Sequence, residues 1–479
     1  MHAGSGLVVA SNRGPVAWER QDGELVARRG FGGLVTALGG ALQHEPGTWV
    51  SLALGEEDRE VAAEHDGEPF EVDAGEASYR LRLLDVGDRF DPYYNRVSNR
   101  LLWFTVHTLW GAPYEPSGVG WRPDWHYGYE PVNERVAQVV AEEADSGSEI
   151  FLQDYHLCTT GRSVRAALPG AKILHYLHTP WVGPDSLQSL PDPVVEGVLR
   201  GLLAADVVGF SSPAWCHAFR RCSAEILGAG VDGESVLLDG RRTVVADFVL
   251  GVDESQLAES VGSDAVLRAG EELDDELAGR RLLLRSDRTD LSKNILRGLH
   301  AYELLLEHRP EHRGRVMHYA LLNPSRQDVP EYRAYLDACR EAAARIQERF
   351  GEESLRFEIA SDYPRTLAAL QRYDVLLVNP VLDGTNLVAK EGAVLNTRDG
   401  VLVLSRRAGA AEVLAEAALL VNPYDAEEQA DALDQALTMD PGGRATRATA
   451  LHAGACRGAP EEWFAAQRHL LRATVARRR

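Results

Sequence analysis

Leu282-Leu283-Leu284-Arg285-Ser286-Asp287-Arg288-Thr289-Asp290-Leu291-Ser292-Lys293 sets an uninterrupted apolar run against a polar, charged turn. Just beyond it, Ile295, Leu299, Tyr302 and Leu306 recur at helical spacing. A buried strand, a polar turn and an amphipathic helix make one unit, and the unit repeats along the chain. The spacing predicts buried strands over 7–10, 150–152, 173–177, 207–210, 282–284, 316–322, 375–378 and 401–404. Helical patterns separate them. Such alternation predicts an α/β protein with doubly wound parallel sheets.

The chain has 479 residues, more than one ordinary core holds. The stretch 253–279 carries nine acids against one base, Arg268, and reads as a solvated, partly helical connector. We expect two Rossmann-like domains, 1–250 and 251–455. A helical tail, 456–479, carries Trp463, Phe464, Leu470 and Leu471 and is expected to pack back on the first domain.

In open parallel sheets, ligands bind beyond the carboxyl ends of the strands. The residues there are Ser11-Asn12-Arg13, Gln153-Asp154-Tyr155-His156, His178-Thr179-Pro180-Trp181, the turn from Ser286 to Lys293, Asn323-Pro324-Ser325-Arg326, and Asp383-Gly384-Thr385-Asn386. Arg288 and Lys293 put two cations in one turn, suited to a diphosphate leaving group. The bland reading is a salt bridge from either to Asp287 or Asp290. Segment 383–391 reads as a glycine turn entering a helix, whose N-terminus attracts phosphate oxygens. Glu391 there suits two ribose hydroxyls, or merely favours a helix start. Asp154 and His178 suit sugar hydroxyls, although a lone histidine at a strand end is more often a core residue. Gly32 and Gly33 permit close backbone approach. The chain has neither GxGxxG nor GxxxxGKS, so NAD and ATP are not expected ligands.

The formal net charge of -22 argues against nucleic acid or an anionic membrane as a partner. Five cysteines without CxxC spacing predict reduced thiols, with neither a disulfide framework nor structural zinc. No apolar stretch is long enough to span a bilayer, and no leader is evident, so a cytoplasmic location is expected. Homo-oligomerisation is compatible with the sequence.

Taken together, the segments resemble the retaining trehalose-6-phosphate synthase family over most of the chain. In order they are Ser11-Asn12-Arg13, Gly32-Gly33-Leu34, the YYNxxSNxxLW run from Tyr93 to Trp103, Asp154-Tyr155-His156-Leu157 and Leu177-His178-Thr179-Pro180-Trp181. RxDxSK follows from Arg288 to Lys293, NPSRxDVxxY from Asn323 to Tyr332, DGxNLVAKE from Asp383 to Glu391, and VNPYD from Val421 to Asp425. The resemblance implies the GT-B architecture, two Rossmann-like domains facing a central cleft. It implies glucosyl transfer from a nucleotide sugar to glucose 6-phosphate with retention, giving α,α-trehalose 6-phosphate. It puts Arg13, Tyr94, Trp103, Asp154 and Arg326 at the acceptor, with Arg13, Tyr94 and Arg326 on its phosphate. Gly32, Gly33, Arg288, Lys293, Ser361, Asp383, Asn386, Leu387, Val388 and Glu391 match the donor site. Asp154, His178, Arg288, Lys293 and Asp383 make up the expected catalytic set. Substitution at the front face is implied, with the departing phosphate taking the acceptor's proton. No metal or other cofactor is expected.

Three positions depart from the family's usual pattern. Leu382 and Thr385 stand where RDGMN has Arg and Met, and Asn294 stands where RxDxxKG has Gly. On Asn294 and the Ala- and Arg-rich composition, GDP-glucose is the expected donor, ahead of UDP- or ADP-glucose. The chain is also similar to pseudo-glycosyltransferases of the validoxylamine 7'-phosphate synthase type. These couple a nucleotide-activated cyclitol to a phosphorylated aminocyclitol. Their pattern lacks the YYNxxSNxxLW run, so Tyr94 and Trp103 favour a hexose 6-phosphate acceptor. A third reading is a non-catalytic, sugar-phosphate-binding regulator. Intact Arg288, Lys293, Asp383 and Glu391 argue against it.

Overall fold

The structure, a computed structural model, describes residues 5–29, 38, 47–74, 77–110 and 120–477. Gly32 and Gly33 lie outside the described residues. The chain divides into two compact units, Met1–Leu250 with Pro460–Arg479, and Gly251–Ala459.

The second unit is built on a six-stranded, fully parallel sheet. Numbering its strands 1 to 6 along the chain (Arg281–Arg288, Val316–Asn323, Leu355–Ile359, Val375–Val378, Val401–Ser405, Leu419–Val421), their spatial order is 3-2-1-4-5-6. That is the Rossmann order, whose direction of travel reverses between strands 1 and 4. The unbroken apolar runs follow from burial on both faces. Leu282, Leu284, Leu376, Leu402 and Leu404 enter one core, and Leu283, Val375, Leu377, Val401 and Val403 enter the other. Successive side chains alternate across the pleat, and each finds apolar neighbours.

The first unit carries a ten-stranded sheet. Its parallel centre runs Arg241–Asp247, Val207–Phe210, Lys172–Tyr176, Ala144–Gln153, Ser5–Ala10, Gly47–Leu52, Ala77–Leu84. Antiparallel strands finish both edges: Ser235–Leu238 and Gly230–Asp232 on one side, Phe70–Ala74 on the other. Here the reversal falls between Ser5–Ala10 and Ala144–Gln153. Helix Pro460–Ala476 packs on this sheet, with Phe464 against Phe151 and Trp463 edge-on to Tyr176.

All eight expected strands are present. The remaining strands were not expected, and charge explains several of them. Leu355–Ile359 carries Arg356 and Glu358 at a sheet edge. Ala77–Leu84 carries Arg80 and Arg82, and buried Arg82 is paid for by Glu143 Oε1 at 2.9 Å. An edge strand such as Leu355–Ile359 does not need uniform apolarity, and Ala77–Leu84, one strand in from its edge, pairs its buried charge instead. The acidic stretch 253–279 is not a solvated connector. It forms helices Glu254–Val261 and Asp264–Leu277, which bury Leu257, Val266, Leu273 and Leu277 in the second unit's core. Its acids are partly spent on ion pairs: Glu276 accepts from Arg365 at 2.8 Å and Asp274 from Arg372 at 2.9 Å. Among the described residues no helix is long and apolar enough to cross a membrane.

Candidate active site

Each unit presents some of its candidate residues where the strand order reverses, Arg13 and Asp154 in the first and Arg288, Lys293 and Asp383 in the second. In the first unit, strand Ser5–Ala10 runs into Ser11, Asn12 and Arg13. Ser11 and Asn12 are buried and serve as braces. Ser11 Oγ accepts from Trp49 Nε1 at 2.7 Å and donates to the Arg13 carbonyl at 2.6 Å. Asn12 Oδ1 accepts from the Tyr93 hydroxyl at 2.8 Å. Arg13 itself is exposed. The motif therefore splits into two anchors and one outward cation.

Tyr93 and Tyr94 lie on a π-helical segment, Pro92–Leu102, a winding frequent at functional sites. Tyr93 is buried against the Asn12 brace. Tyr94 is half-buried and stacks with Phe90 and with His156, ring centres 5.1 and 5.8 Å apart. Trp103 is buried, stacked on His107 and tilted against Tyr155. It lines the packing behind the site more than an open surface.

Asp154 follows strand Ala144–Gln153 with φ +68°, ψ 174°, a strained backbone for an aspartate. Four contacts hold it there. Its N–H donates to the Tyr176 carbonyl at 2.7 Å. Its carbonyl lies 3.0 Å from His175 Nε2, and Oδ1 accepts from the His178 N–H at 3.2 Å. Oδ2 is 4.0 Å from His156 Nδ1. The His178 ring lies 3.0 Å from Gln153 Oε1 through Nε2, and Trp463 of the tail helix sits against it. Burial pushes the imidazole down to about 3, so it stays neutral. A neutral ring that donates its Nε2–H to Gln153 Oε1 leaves Nδ1 as a hydrogen-bond acceptor.

In the second unit, the ends of Arg281–Arg288 and Val375–Val378 flank the reversal. Arg288 is exposed. Lys293 Nζ lies 2.5 Å from Asp383 Oδ2, and Asn386 Nδ2 donates to the same oxygen at 3.1 Å. The salt-bridge partner of Lys293 is thus Asp383, rather than Asp287 or Asp290. Asp287 sits 3.4 Å from buried Arg285. Burial raises its carboxyl to about 6, with Arg285, Lys293 and Arg288 opposing and Asp383 assisting. The Asp383 turn is pinned from behind: its N–H donates to the Arg407 carbonyl at 3.2 Å and its carbonyl accepts from Gly409 at 2.9 Å. Gly409 has to be glycine, since a Cβ there would collide with the Gly384 carbonyl.

Asn386 caps helix Leu387–Leu395, its side chain accepting from the Ala389 N–H at 3.1 Å. Leu387 and Val388 open that helix, half-buried. Glu391 follows one turn on, and burial raises its carboxyl to about 7. Ser361 is exposed beyond the end of Leu355–Ile359. Arg326 also belongs to the second unit, apart from Arg13, Tyr94, Trp103 and Asp154. It adopts φ +46°, and Nη1 sits 3.2 Å from Asp290 Oδ2 and 2.6 Å from the Tyr332 hydroxyl. The carboxylate holding it, Asp290, is fully buried.

Sequence reading missed the network behind these residues. Asn294 is the main case. It takes φ +58°, ψ 37°, where glycine is the default and asparagine is tolerated. Its Nδ2 donates to the Asn379 carbonyl at 3.0 Å and the Pro423 carbonyl at 2.6 Å, joining three strand ends. A glycine consensus at that position was the available signal, and it points to the backbone conformation alone.

Residues 5–472 match the family described as glycosyltransferase family 20. Among curated relatives, an α,α-trehalose-phosphate synthase [UDP-forming] of Aspergillus fumigatus is 31% identical, covering 92% of this chain and 91% of its own. A validamine 7-phosphate valienyltransferase of Streptomyces hygroscopicus is 30% identical, covering 97% and 94%. A probable α,α-trehalose-phosphate synthase [UDP-forming] of Arabidopsis thaliana is 30% identical over 95% of this chain, which spans 56% of that longer protein. Among solved structures, trehalose-6-phosphate synthase of E. coli bound with UDP-2-fluoro glucose superposes with TM-score 0.83 at 28% identity, covering 98% of both chains. A Burkholderia xenovorans α,α-trehalose-phosphate synthase in complex with glucose-6-phosphate gives TM-score 0.83 at 26% identity, over 97% and 99%. The chain therefore belongs to glycosyltransferase family 20, and is a glycosyltransferase of the GT-B fold, with two Rossmann-like domains.

Proposed function

We propose that this enzyme moves glucose from a nucleotide sugar to glucose 6-phosphate, forming α,α-trehalose 6-phosphate with retention. The observation that carries this reading is full-length similarity to UDP-forming trehalose-phosphate synthases. Supporting it, Arg13 and Asp154 follow the two strands at the first unit's reversal, and Arg288, Lys293 and Asp383 lie at the ends of the two strands at the second's. Arg13, Tyr94, Trp103, Asp154 and Arg326 are the proposed acceptor residues, with phosphate on Arg13, Tyr94 and Arg326. Ser361, Asn386, Leu387, Val388 and Glu391 are the proposed donor cradle, with Gly32 and Gly33. The guanine base expected from Asn294 and the composition has no support among the curated trehalose-phosphate synthases, which are named UDP-forming, and UDP-glucose is the donor to test first.

In the proposed mechanism, Arg288 and Lys293 neutralise the leaving diphosphate. The acceptor hydroxyl attacks from the side the diphosphate leaves, and its proton passes to the departing phosphate oxygen. Asp383, engaged by Lys293 and Asn386, is a poor nucleophile and better suited to a sugar hydroxyl. Neutral His178 accepts a hydrogen bond from the transferred ring. With two fixed cations on the diphosphate, no metal is needed for this step. Activity should persist when Mg²⁺ is omitted, and strict dependence on it would refute this part.

The similarity to the valienyltransferase keeps a second reading, transfer of an activated cyclitol to a phosphorylated aminocyclitol. One experiment separates the two. The protein is incubated with glucose 6-phosphate and UDP-, GDP- or ADP-glucose, and nucleoside diphosphate release is followed. Release with at least one donor is expected, UDP-glucose giving the fastest rate. No release with any donor sinks the glucosyl reading and favours the cyclitol one.

A further inference from the structure

One side-chain cluster in the second unit plays no part in the sugar chemistry. The chain enters this unit at Gly251 and leaves it at Ala459. The entering and leaving segments run side by side. Gly251 N–H donates to the Gly458 carbonyl at 2.6 Å, and Val252 N–H to the Ala455 carbonyl at 3.3 Å. Glu254 then opens helix Glu254–Val261. His452 and Cys456 lie four residues apart at the end of helix Pro441–Ala455, on one face. Ligand atoms of Glu254, His452 and Cys456 all lie within 4.8 Å of one another. His452 Nε2 is 3.1 Å from Glu254 Oε1, and Cys456 Sγ is 3.9 Å from Glu254 Oε2.

Those separations suit a particular ion. Tetrahedral Zn²⁺ binds nitrogen and oxygen at about 2.0–2.2 Å and sulfur at about 2.3 Å, which puts neighbouring ligand atoms roughly 3.3–3.8 Å apart. The distances from the two Glu254 oxygens to His452 and Cys456 lie on either side of that range, and one ligand atom from each of the three residues falls within 4.8 Å of the others. One thiolate, one imidazole and one carboxylate select zinc over magnesium or calcium, which prefer oxygen alone. Thiolate and carboxylate together neutralise the ion, and the thiol proton goes to solvent on binding. The i, i+4 pair comes from one helix and the carboxylate from another, so an ion would staple the unit's entry to its exit.

We propose that Glu254, His452 and Cys456 form a Zn²⁺ site, with water as the fourth ligand, that clasps the two chain segments linking the second unit to the first. The site is independent of the glucosyl transfer proposed above. Of the five cysteines, Cys456 alone is not buried, which makes thiolate signals assignable.

The test uses the full chain, stripped with a chelator and titrated with Co²⁺. The expected result is a thiolate charge-transfer band with the intense visible bands of tetrahedral cobalt, both displaced by one equivalent of Zn²⁺. Both should vanish in Cys456→Ser, and the tetrahedral bands should vanish in His452→Gln. Zn²⁺ should raise the melting temperature of the wild type and not of Cys456→Ser. Apo circular dichroism matching the wild type excludes misfolding of either variant. A wild type giving only weak octahedral cobalt bands, or a Cys456→Ser protein with the wild-type spectrum, overturns the proposal.

Discussion

Arg288 and Lys293 are both assigned to the leaving diphosphate, yet their surroundings differ. Arg288 is exposed, whereas Lys293 and Asp383 form a nearly buried pair. Arg288→Ala should lower kcat by about 2–4 kcal/mol of transition-state stabilisation and cost less stability than the loss of Lys293. Lys293→Ala should lose similar activity and also about 3 kcal/mol of stability, because it strands the Asp383 carboxylate. Steady-state kinetics with urea unfolding separates the two, and full activity in Arg288→Ala would falsify its role. Arg326 needs gentler treatment, since removing it strands buried Asp290. Arg326→Lys keeps the charge and loses the planar fork. It should raise the glucose 6-phosphate KM by about tenfold and leave the donor KM within about twofold. Equal increases in both would contradict a phosphate role. For Asn294, conformation and side chain act together. Asn294→Ala combines a left-handed backbone, about 1–2 kcal/mol, with the loss of three side-chain hydrogen bonds of about 1 kcal/mol each, to the Asn379 and Pro423 carbonyls and from Arg297. Asn294→Gly loses only the bonds. Alanine should therefore be the more destabilising change in thermal or urea unfolding.

Among the elements, the tail helix Pro460–Ala476 has an influence that its position in the chain conceals. Trp463 is buried and packs against Tyr176 and His178. Arg468 Nε donates to Glu149 at 2.9 Å, and Arg472 donates to the same buried carboxylate. These bonds hold the Glu149 carboxyl below its usual range, against the upward push of burial, the largest single influence. Trp463→Ala should cost about 3–5 kcal/mol. It should also lower activity, because the ring holding His178 is gone. Urea unfolding and kinetics on one preparation check both, and an active protein of normal stability would show that the helix is dispensable.

Across the whole molecule, buried titrating groups divide between the units. Burial pushes His175 and His178 down to about 4 and about 3 in the first unit. Their usual value is 6.5, so below it the unfolded chain binds protons that the folded unit refuses. Stability present above pH 6.5 is lost as pH falls, by about 2 kcal/mol per histidine at pH 5. In the second unit, burial likewise holds His318 down to about 3, but raises Asp287 to about 6 and Glu391 to about 7. Those carboxyls take up protons in the folded state first, so they gain stability on acidification and offset His318. Hydrogen exchange at pH 7.5 and pH 5, corrected for intrinsic rates, should show the first unit opening first on acidification. Earlier opening of the second unit would contradict this account.

Some of this was legible in the chain alone. The eight central strands are so because burial on both faces demands uninterrupted apolar residues, and Leu282-Leu283-Leu284 or Val375–Val378 admit no other role. Placing Asp154, His178, Lys293 and Asp383 at strand ends followed from the same pattern, since a turn after a buried strand has to carry the polar groups. The edge strand Leu355–Ile359 and its counterpart Ala77–Leu84, one strand in from an edge, were not legible, because charged residues there are satisfied by partners distant in sequence. Nor were the partners of the site residues. Lys293 and Asp383 stand 90 residues apart, and Arg326 and Asp290 stand 36 apart. Local spacing reports how a segment folds on itself, and a side chain's charge reports only that it needs a partner. Which partner it meets, and whether the result is a pair, a brace or an outward cation such as Arg13, depends on strand order, which the tertiary packing of both sheets decided.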